Sequence, residues 1–501
     1  MRYDITLVSA ILHLTDGEAV PLGPFYLAAA LKAAGRSAEV IDIQPLADGN
    51  LFAWKTLADV LCAAQGDVIG VSLLGSGLPM ALMAVGEYRK RGGNKTVIFG
   101  GPGANGVEER LLDRFPGVDV VVRGEGEEVL PRILDALERG ETPSGPGVFA
   151  RGPDGRAQGA PPVRIADLDA LPWPDRQAFA HYDLAKAPLV TARGCPFTCS
   201  FCDIITMMGR TVGYRSVDDV VREIAAIADT GLNKIHILDD LFTVNRKRVV
   251  AFCRALKAAG LTVQWSCTSR IDLLDDALLD EMADAGCTSL YFGVDAATED
   301  GWKRINKKLG RDQVIATIAK TLKRCNAWAS FIWGYPFETF EDFTALVDLA
   351  YDLSVMAQSQ PHDLWIQMHF LAPEPATPLF AEHGHTVRFG TAIPLAFCTG
   401  KPLRSFAGVE GYDACMDLIR SDSTLFAPFH YYPSERLMEK LLVVRAFSLD
   451  DAKPAGADAV LASLHDVHAL SAKVRHIHDH NLKGSSARLW KAFLESRSPA
   501  A

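Results

Sequence analysis

Apolar residues in the first 140 positions fall into short runs, and amphipathic segments of helix length separate these runs. Short continuous apolar runs are typical of strands that are buried on both faces of a parallel sheet. We predict strands at Asp4–Ser9, Ala38–Ile43, Val68–Leu73, Thr96–Gly100 and Val118–Val122. The alternation of strands and helices predicts an α/β domain with a doubly wound parallel sheet over residues 1–140.

A second series of strands and helices runs from residue 186 to residue 375. Its strands are predicted at Leu189–Ala192, Lys234–Leu238, Val263–Cys267, Ser289–Gly293, Ala329–Gly334 and Leu364–Phe370. Segments of helix length, such as Val217–Thr230 and Arg246–Ala259, separate the strands. This pattern predicts a partial (β/α)6 barrel of TIM type, with ligands at the carboxyl ends of its strands.

Two segments lack this alternation of strands and helices. Residues 141–185 are rich in Pro, Gly and polar residues, which predicts a connector rather than part of a core. Residues 376–501 show mostly helical patterns with loops, which predicts a mostly helical C-terminal region. The chain is therefore predicted to consist of four parts, with boundaries after residues 140, 185 and 375.

Charge and composition restrict the partners. The formal net charge is −10, which argues against a nucleic-acid groove because such a groove normally requires a basic patch. No apolar stretch is long enough to span a bilayer, and the N-terminus has an Asp at position 4 and no cleavage site of small residues. We expect a monomeric cytoplasmic protein that acts on a small molecule or a peptide.

Three of the ten cysteines lie in one loop, and the other seven are scattered along the chain. Scattered cysteines argue against a disulfide framework, and we expect most of the seven to be small core residues. These residues are Cys62, Cys253, Cys267, Cys287, Cys325, Cys398 and Cys415.

The three clustered residues, Cys195, Cys199 and Cys202, have the spacing C-x3-C-x2-C, and Phe201 precedes the last cysteine. A [4Fe–4S] cluster is usually held by four thiolates, so three leave one iron open to another ligand. The alternative is a set of three buried structural thiols. The spacing, the aromatic residue and the position after a strand resemble the cluster loop of the radical S-adenosylmethionine (SAM) enzymes.

The resemblance implies that the amino and carboxylate groups of SAM bind the open iron. It also implies that one electron, from a donor of the flavodoxin or ferredoxin type, cleaves SAM to a 5′-deoxyadenosyl radical. The positions that match SAM contacts in the family are Phe201, Asp239, Asp240, Arg270, Asp295, Gly334 and Glu338. Relatives commonly carry Glu-Ser where this chain has Asp295-Ala296, so a serine contact is lost. The alternative for each carboxylate is a strand-end or helix cap.

Gly-rich turns follow strands or open helices in the first 140 residues. Upstream of a three-cysteine loop, they resemble the Rossmann-like (flavodoxin-like) cobalamin-binding domain of the class B radical SAM methyltransferases. The positions that this resemblance assigns to cobalamin are Leu22, Gly23, Ser72, Gly100, Gly101, Pro102, Gly124 and Glu125. The Asp-x-His-x-x-Gly signature is absent from residues 1–150, which implies cobalamin without a protein histidine on cobalt. The alternative is a flavodoxin-like domain with tight turns.

The C-terminal region contains two further groups of candidate residues. Five histidines between positions 465 and 480 have no Cys or second acidic shell beside them, so a solvated helix face is favoured over a metal site. The aromatic segment 429–432 either lines a substrate mouth or packs in a core.

The leading prediction is a cobalamin-dependent radical SAM methyltransferase that methylates an unactivated carbon, or phosphorus, of a small molecule or peptide. Enzymes of this kind commonly act in natural-product or cofactor pathways. An alternative keeps both cofactors and catalyses cyclisation, ring contraction or oxidation. A third hypothesis, a cobalamin or iron–sulfur sensor, predicts no cleavage of SAM. No residue separates the first two hypotheses, and no catalytic residue is assigned.

Overall fold

The structure is a computed structural model that describes residues 3–11, 20–182, 184–395, 401–445 and 465–481. The chain forms two compact units, and each is described separately. The amino-terminal unit consists of Met1–Ala185, Arg193–Ser216 and Ala372–Tyr431. The barrel unit consists of Lys186–Ala192, Val217–Leu371 and Tyr432–Ala501.

A seven-stranded sheet forms the centre of the amino-terminal unit, with the strand order β2-β1-β3-β4-β5-β6-β7. Its strands are β1 (Tyr3–Ser9), β2 (Ala38–Asp42), β3 (Gly66–Ser72), β4 (Thr96–Gly100), β5 (Val120–Val122), β6 (Val148–Arg151) and β7 (Ala157–Gly159). The first five are parallel to their neighbours, which confirms the predicted doubly wound sheet. The last two are antiparallel.

Both faces of this sheet are buried. On β4, Ile98 packs in one apolar cluster, whereas Val97 and Phe99 pack in the other. Successive residues of a strand point to opposite faces, which is why the sequence shows continuous apolar runs rather than alternation. The helices of this part are α1 (Leu22–Ala33), α2 (Gln44–Ala47), α3 (Trp54–Ala63), α4 (Leu78–Lys90), α5 (Glu108–Arg114) and α6 (Val129–Glu138).

The prediction that residues 141–185 lie outside the core is wrong for β6, whereas β7 joins the sheet with largely exposed residues. Val148, Phe149 and Ala150 are buried, and β6 extends the sheet by pairing with β5. An apolar segment of four residues between Gly- and Pro-rich stretches is too short to show a strand period. The apolar residues of β6 are therefore visible in the sequence, but their pattern does not predict a strand.

The barrel unit contains a six-stranded parallel sheet with the order β15-β14-β13-β12-β11-β8. This order confirms the predicted partial barrel. The strands between residues 186 and 375 are β8 (Ala187–Leu189), β9 (Ala192–Arg193), β10 (Gly213–Tyr214), β11 (Lys234–Ile237), β12 (Gln264–Ser269), β13 (Cys287–Gly293), β14 (Asn326–Trp333) and β15 (Leu364–Phe370). Strand β10 and helix α7 (Ile204–Met208) lie in the amino-terminal unit. The helices of the barrel unit in this range are α8 (Val217–Asp229), α9 (Arg246–Ala258), α10 (Asp276–Asp284), α11 (Glu299–Arg304), α12 (Arg311–Leu322) and α13 (Phe340–Ala357).

Polar caps begin several barrel helices. The Thr339 hydroxyl accepts a hydrogen bond from the Asp342 amide at 3.0 Å, and the Asp342 carboxylate accepts one from the Thr339 amide at 3.1 Å. This capping box satisfies amide groups that the first turn of α13 leaves without a partner. Asn245 and Asp275 cap α9 and α10 by one side-chain hydrogen bond each, accepted from the Arg248 and Leu278 amides.

The remaining described segments are mostly helical, as predicted, and contain two short strands. They are α14 (Pro378–His383), β16 (Arg388–Phe389), α15 (Tyr412–Arg420), β17 (His430–Tyr431), α16 (Leu437–Arg445) and α17 (His465–Asn481). Within the amino-terminal unit, Cys415, Met416 and Phe429 join the apolar cluster on one face of the first sheet. The aromatic segment 429–432 is therefore largely core, since Phe429 and Tyr432 are buried.

The scattered cysteines follow the prediction with one exception. Five of them are buried, and Cys62 is exposed because it lies on the outer face of α3; Cys398 lies outside the described residues. Within the described ranges, no helix is both long enough and apolar enough to cross a membrane.

Candidate functional site

The three-cysteine loop lies between β9 and α7 in the amino-terminal unit. The Cys202 amide donates a hydrogen bond to the Cys199 carbonyl at 3.1 Å, and all three cysteines are partly exposed. Burial, together with the negative charge of Asp203 and of the other two thiolates, raises the pKa of Cys202 to about 12. Binding to iron would favour the thiolate form of these cysteines.

The C-x3-C-x2-C spacing of the loop is compatible with an iron–sulfur cluster. Across the described part of the chain, no three His, Cys, Asp or Glu side chains come close enough together to hold one ion. In a [4Fe–4S] cluster each thiolate binds a different iron, so the sulfur atoms are spread further apart than the ligands of one ion. The partial exposure of all three thiols leaves them accessible to such a cluster.

Arg164 closes the base of the loop. Its Nη1 donates to the carbonyl oxygens of Met208 at 2.7 Å and Thr211 at 3.2 Å, and its Nη2 donates to the carbonyl oxygen of Arg193 at 3.2 Å. Gly194 has φ +95°, and a Cβ there would lie 2.6 Å from the Thr211 carbonyl oxygen. The close approach of the two chain segments therefore requires glycine before the first cysteine.

The positions predicted for cobalamin lie mostly at the carboxyl edge of the first sheet. Ser72 and Gly100 end β3 and β4, Gly101 and Pro102 follow β4, and Gly124 and Glu125 follow β5. Leu22 and Gly23 open α1, which follows β1 along the chain. Carboxyl ends of parallel strands share one edge, where α/β sheets bind ligands.

Two of these glycines differ in what surrounds them. Gly101 has φ +89°, and a Cβ would lie 2.7 Å from the Leu73 carbonyl oxygen, so the fold itself requires glycine. At Gly23 a Cβ would meet no described atom within 4 Å. The space beside Gly23 is therefore open to a ligand, as a close approach of cobalamin would need.

Asn105, which follows the Gly100–Pro102 turn, was not predicted as a site residue. It is 7% exposed, and its Oδ1 has no hydrogen-bond partner among the described residues. The Thr206 hydroxyl donates to the Asp203 carbonyl at 2.7 Å, so it accepts from Asn105 Nδ2 at 3.4 Å. This arrangement leaves Oδ1 as a buried acceptor, which costs free energy unless a ligand donates to it.

Glu374 is a second acceptor that the sequence did not reveal. Its carbonyl oxygen accepts from the Thr377 hydroxyl at 2.8 Å. Burial and the negative charge of Asp203 raise the pKa of Glu374 to about 8. Glu374 is close in sequence to Ala376, whose Cβ a side chain at Gly106 would contact at 2.8 Å. Asn105 and Glu374 are therefore close in sequence to Gly106 and Ala376, the two residues at which these chain segments approach each other.

In the barrel unit, Asp239 follows β11 and accepts three hydrogen bonds. The donors are the Thr191 amide and hydroxyl, both at 2.6 Å, and the Ala192 amide at 2.9 Å. Burial raises the pKa of Asp239 to about 6 in spite of these donors. Its carboxylate is therefore used to hold residues 191–192, whereas the neighbouring Asp240 is exposed.

Arg270 and Asp295 also have partners within the barrel unit. Arg270 donates two hydrogen bonds of 2.9 Å to the Asp272 carboxylate, so its guanidinium group already binds a carboxylate. Asp295 has φ +64° and forms a buried ion pair with Lys307. Lys307 Nζ also donates to the Gly293 carbonyl at 2.8 Å. These contacts fix the turn after β13.

The turn after β14 is held by a buried charged pair. The Gly334 amide donates to Glu338 Oε2 at 2.9 Å, and Lys440 Nζ donates to Glu338 Oε1 at 2.8 Å. The side chain of Lys440 is 0% exposed and that of Glu338 is 5% exposed. Gly334 has φ +89°, and a Cβ would lie 2.4 Å from the Phe370 ring, so glycine is needed here.

A polar cluster in the barrel unit was missed. Tyr291 and His369 both lie 3.2 Å from Gln367 Oε1, the tyrosine through its hydroxyl and the histidine through Nε2. Burial raises the pKa of Tyr291 and lowers the pKa of His369, so both are neutral near pH 7. The strand neighbours Leu290 and Phe292 are buried on the opposite face. Polar residues at alternate positions of an otherwise apolar strand were the available signal.

Among the described residues of α17, no group of three His, Cys, Asp or Glu side chains could hold a metal ion. On α17, His480 Nε2 lies 2.9 Å from the Leu364 carbonyl oxygen, and His476 Nε2 lies 3.2 Å from Gln358 Nε2. Both contacts are within the barrel unit. The side chains of His465 and His468 lie outside the described residues.

Two family profiles match the chain. The Radical SAM superfamily matches residues 189–350, and the B12 binding domain matches residues 8–134. The first match contains the three-cysteine loop and the barrel strands β11 to β14. The second contains the Gly-rich turns of the first sheet.

Two curated relatives match over most of the chain. An uncharacterized methyltransferase of Pyrococcus horikoshii is 30% identical over 356 residues, which cover 69% of this chain and 76% of the relative. The anaerobic magnesium-protoporphyrin IX monomethyl ester cyclase of Cereibacter sphaeroides is 29% identical over 436 residues, which cover 83% of this chain and 69% of the relative.

A solved structure has a similar fold. TsrM, a radical SAM methyltransferase of Kitasatospora setae solved with cobalamin and a [4Fe–4S] cluster, matches with a TM-score of 0.67 and 19% identity, covering 94% of this chain and 89% of TsrM. The chain therefore belongs to the radical SAM superfamily, in the group with a B12-binding domain, and its cofactors are a [4Fe–4S] cluster, SAM and cobalamin.

Proposed function

We propose that the enzyme transfers a methyl group to an unactivated carbon, or to phosphorus, of a small molecule or a peptide. The observation that carries the proposal is that the three-cysteine loop and the Gly-rich sheet edge belong to one compact unit. The relative that is 30% identical to this chain is named a methyltransferase, which also supports the proposal.

The cysteines Cys195, Cys199 and Cys202 would hold the cluster, and the Gly-rich turns with Asn105 would hold cobalamin. When bound, the reduced cluster and SAM supply hydrogen abstraction, and cobalamin supplies a methyl carrier. Arg164 would keep the ends of the cysteine loop together. An electron donor of the flavodoxin or ferredoxin type would reduce the cluster.

The SAM contacts predicted from the sequence need to be divided into two groups. Asp240 is exposed, and we propose it as a direct hydrogen-bond acceptor for SAM, with Phe201 on the cysteine loop as an apolar contact. Asp239, Arg270, Asp295 and Glu338 have partners inside the barrel unit. We propose that these four, with Gly334, position the strand ends.

The polar cluster around Gln367 would contact the substrate. Tyr291 and His369 are neutral, so they would orient a polar group of the substrate by hydrogen bonds rather than by charge. Hydrogen bonds of this kind would fix the position of the reacting atom of the substrate and keep water away from it. We further propose that the enzyme works as a monomer in the cytoplasm, and that the boundaries after residues 140, 185 and 375 separate functional parts.

A second candidate function keeps both cofactors and catalyses cyclisation, ring contraction or oxidation without methyl transfer. The cyclase of Cereibacter sphaeroides, which aligns with 83% of this chain, favours it.

Product analysis distinguishes the two functions. The reconstituted enzyme would be incubated without oxygen with SAM, a reductant and a panel of small molecules and short peptides. If the enzyme transfers a methyl group, adding its substrate should increase the formation of both S-adenosylhomocysteine and 5′-deoxyadenosine. The product should be heavier than that substrate by one methyl group. An increase in 5′-deoxyadenosine with a product that gains no methyl group would contradict the proposal and support the second function.

A further inference from the structure

We propose that Glu125 and Glu127 are positioning residues for the [4Fe–4S] cluster, and that they act through Arg193 and Arg164. This inference rests on the proposed function of the three cysteines as cluster ligands. It gives Glu125 a role different from the cobalamin contact predicted from the sequence.

Arg193 connects the two glutamates to the cysteine loop. It lies two residues before Cys195, with only Gly194 between them. Its Nη1 donates to Glu125 Oε1 at 3.0 Å and its Nη2 donates to Glu127 Oε1 at 2.6 Å. Its guanidinium also lies 5.4 Å from the Tyr26 ring. These contacts fix the point at which the chain enters the loop.

Glu125 also binds the arginine that closes the loop. Its Oε2 accepts from Arg164 Nε at 2.8 Å and from the Ile165 amide at 2.9 Å. Arg164 in turn donates to carbonyl oxygens on both sides of the three cysteines. One carboxylate therefore orients both arginines that hold the loop.

Burial makes this arrangement energetically important. The side chain of Glu125 is 1% exposed and that of Arg193 is 14% exposed, so the charges receive little compensation from water. Burial alone would raise the pKa of Glu125, but the Ile165 amide and the two arginines lower it overall. Removing the carboxylate would leave two guanidinium groups without their common partner, and these would seek other contacts.

The occupied oxygens argue against Glu125 as a cofactor contact. Both carboxylate oxygens already accept charge-assisted or amide hydrogen bonds inside the amino-terminal unit. Glu128, three residues along the same turn, is exposed. The turn thus provides a graded series: Glu125 contacts both arginines, Glu127 contacts one, and Glu128 serves as a control.

The experiment uses the full-length chain, reconstituted without oxygen with iron(II) and sulfide, and the variants Glu125→Gln, Glu127→Gln and Glu128→Gln. Cluster loss to the chelator bathophenanthroline is followed by absorbance, and hydroxocobalamin affinity is measured on the same samples. We expect cluster loss to be about 10- to 100-fold faster in Glu125→Gln and about 3- to 10-fold faster in Glu127→Gln. Glu128→Gln should match the wild type, and cobalamin affinity should stay within about twofold in all three.

Two results would overturn the inference. One is a wild-type rate of cluster loss in Glu125→Gln; the other is a cobalamin affinity that falls as much as cluster stability does. If Glu125→Gln does not fold, Glu127→Gln decides, because it removes one contact only, and a wild-type rate there would equally overturn the inference. Failure of the wild-type chain itself to take up iron would instead contradict the proposed function.

Discussion

The amino-terminal unit and the barrel unit use their charged residues in different ways. In the amino-terminal unit, charged groups outside the cysteine motif hold the loop, and the buried acceptor Asn105 Oδ1 has no partner among the described residues. In the barrel unit, the charged side chains at the strand ends bind one another or the backbone, as Asp239 and Glu338 do. A charged residue at a strand end is therefore weak support for a ligand contact until its partners are known.

The strongest test of this difference is to remove one thiolate. Cys199→Ala should abolish iron loading and SAM cleavage, because two thiolates from one loop do not hold the cluster. Cobalamin affinity should stay within about twofold, since it depends on the sheet edge. Iron content, 5′-deoxyadenosine formation and hydroxocobalamin binding measure these effects.

The control for this variant is Cys62→Ala, which removes an exposed thiol of the same unit and should change none of the three measurements. Full SAM cleavage by Cys199→Ala would show that the cluster lies elsewhere.

The next largest effect is expected in the barrel unit. Lys440→Met leaves Glu338 buried without its cation, and burial already raises the pKa of Glu338. We expect a loss of about 3–5 kcal/mol in the free energy of unfolding, measured by urea titration. The half-exposed pair between Lys473 and Asp348 provides the control, because Lys473→Met should cost about 0–1 kcal/mol.

Similar losses in the two lysine variants would mean that Glu338 is not held by Lys440, and that its carboxylate is available to a ligand. The double variant Lys440→Met with Glu338→Gln should recover part of the stability, because no buried charge is then left alone.

A smaller effect is expected at Asn105. Asn105→Leu removes the buried acceptor and should weaken hydroxocobalamin binding by about tenfold, which corresponds to the loss of one hydrogen bond. Thr206→Val removes the partner of Asn105 Nδ2 but keeps Oδ1, so its affinity should fall less. An equal fall in both variants would show that Asn105 acts only through loop geometry.

The smallest change in stability is expected at Gly23. Gly23→Ala places a methyl group in open space near the start of α1, so stability should change by no more than about 1 kcal/mol. Cobalamin affinity should fall, because the methyl group would occupy space that the cofactor needs. Thermal unfolding and hydroxocobalamin titration measure the two effects, and unchanged affinity would remove Gly23 from the proposed cobalamin site.

Much of the fold could be predicted from the sequence, because parallel strands buried on both faces give continuous apolar runs. Leu364–Phe370 and Thr96–Gly100 were predicted with the bounds that the structure has. The start of β14 was placed at Ala329 instead of Asn326, since the polar Asn326 does not continue the apolar run. Strands β6 and β7 were missed because they are short and lie between turn residues.

The site was less predictable than the fold. The cysteine spacing is local and could be read directly. The groups that hold the loop could not, because Glu125, Arg164 and Arg193 are far apart in the sequence, and the resemblance assigned Glu125 to cobalamin instead. Asn105 Oδ1 lacks a donor because the Thr206 hydroxyl donates its proton to the Asp203 carbonyl. No sequence pattern indicates such an arrangement.

The central claim is that this chain is a radical SAM enzyme that carries both a cluster and cobalamin. Its most direct test is the iron and cobalt content, with a visible spectrum, of the full-length protein purified without oxygen from cells supplied with cobalamin. We predict about four irons and one cobalt per chain, as expected for one [4Fe–4S] cluster and one cobalamin. Iron without cobalt would contradict the assignment of the amino-terminal sheet to cobalamin.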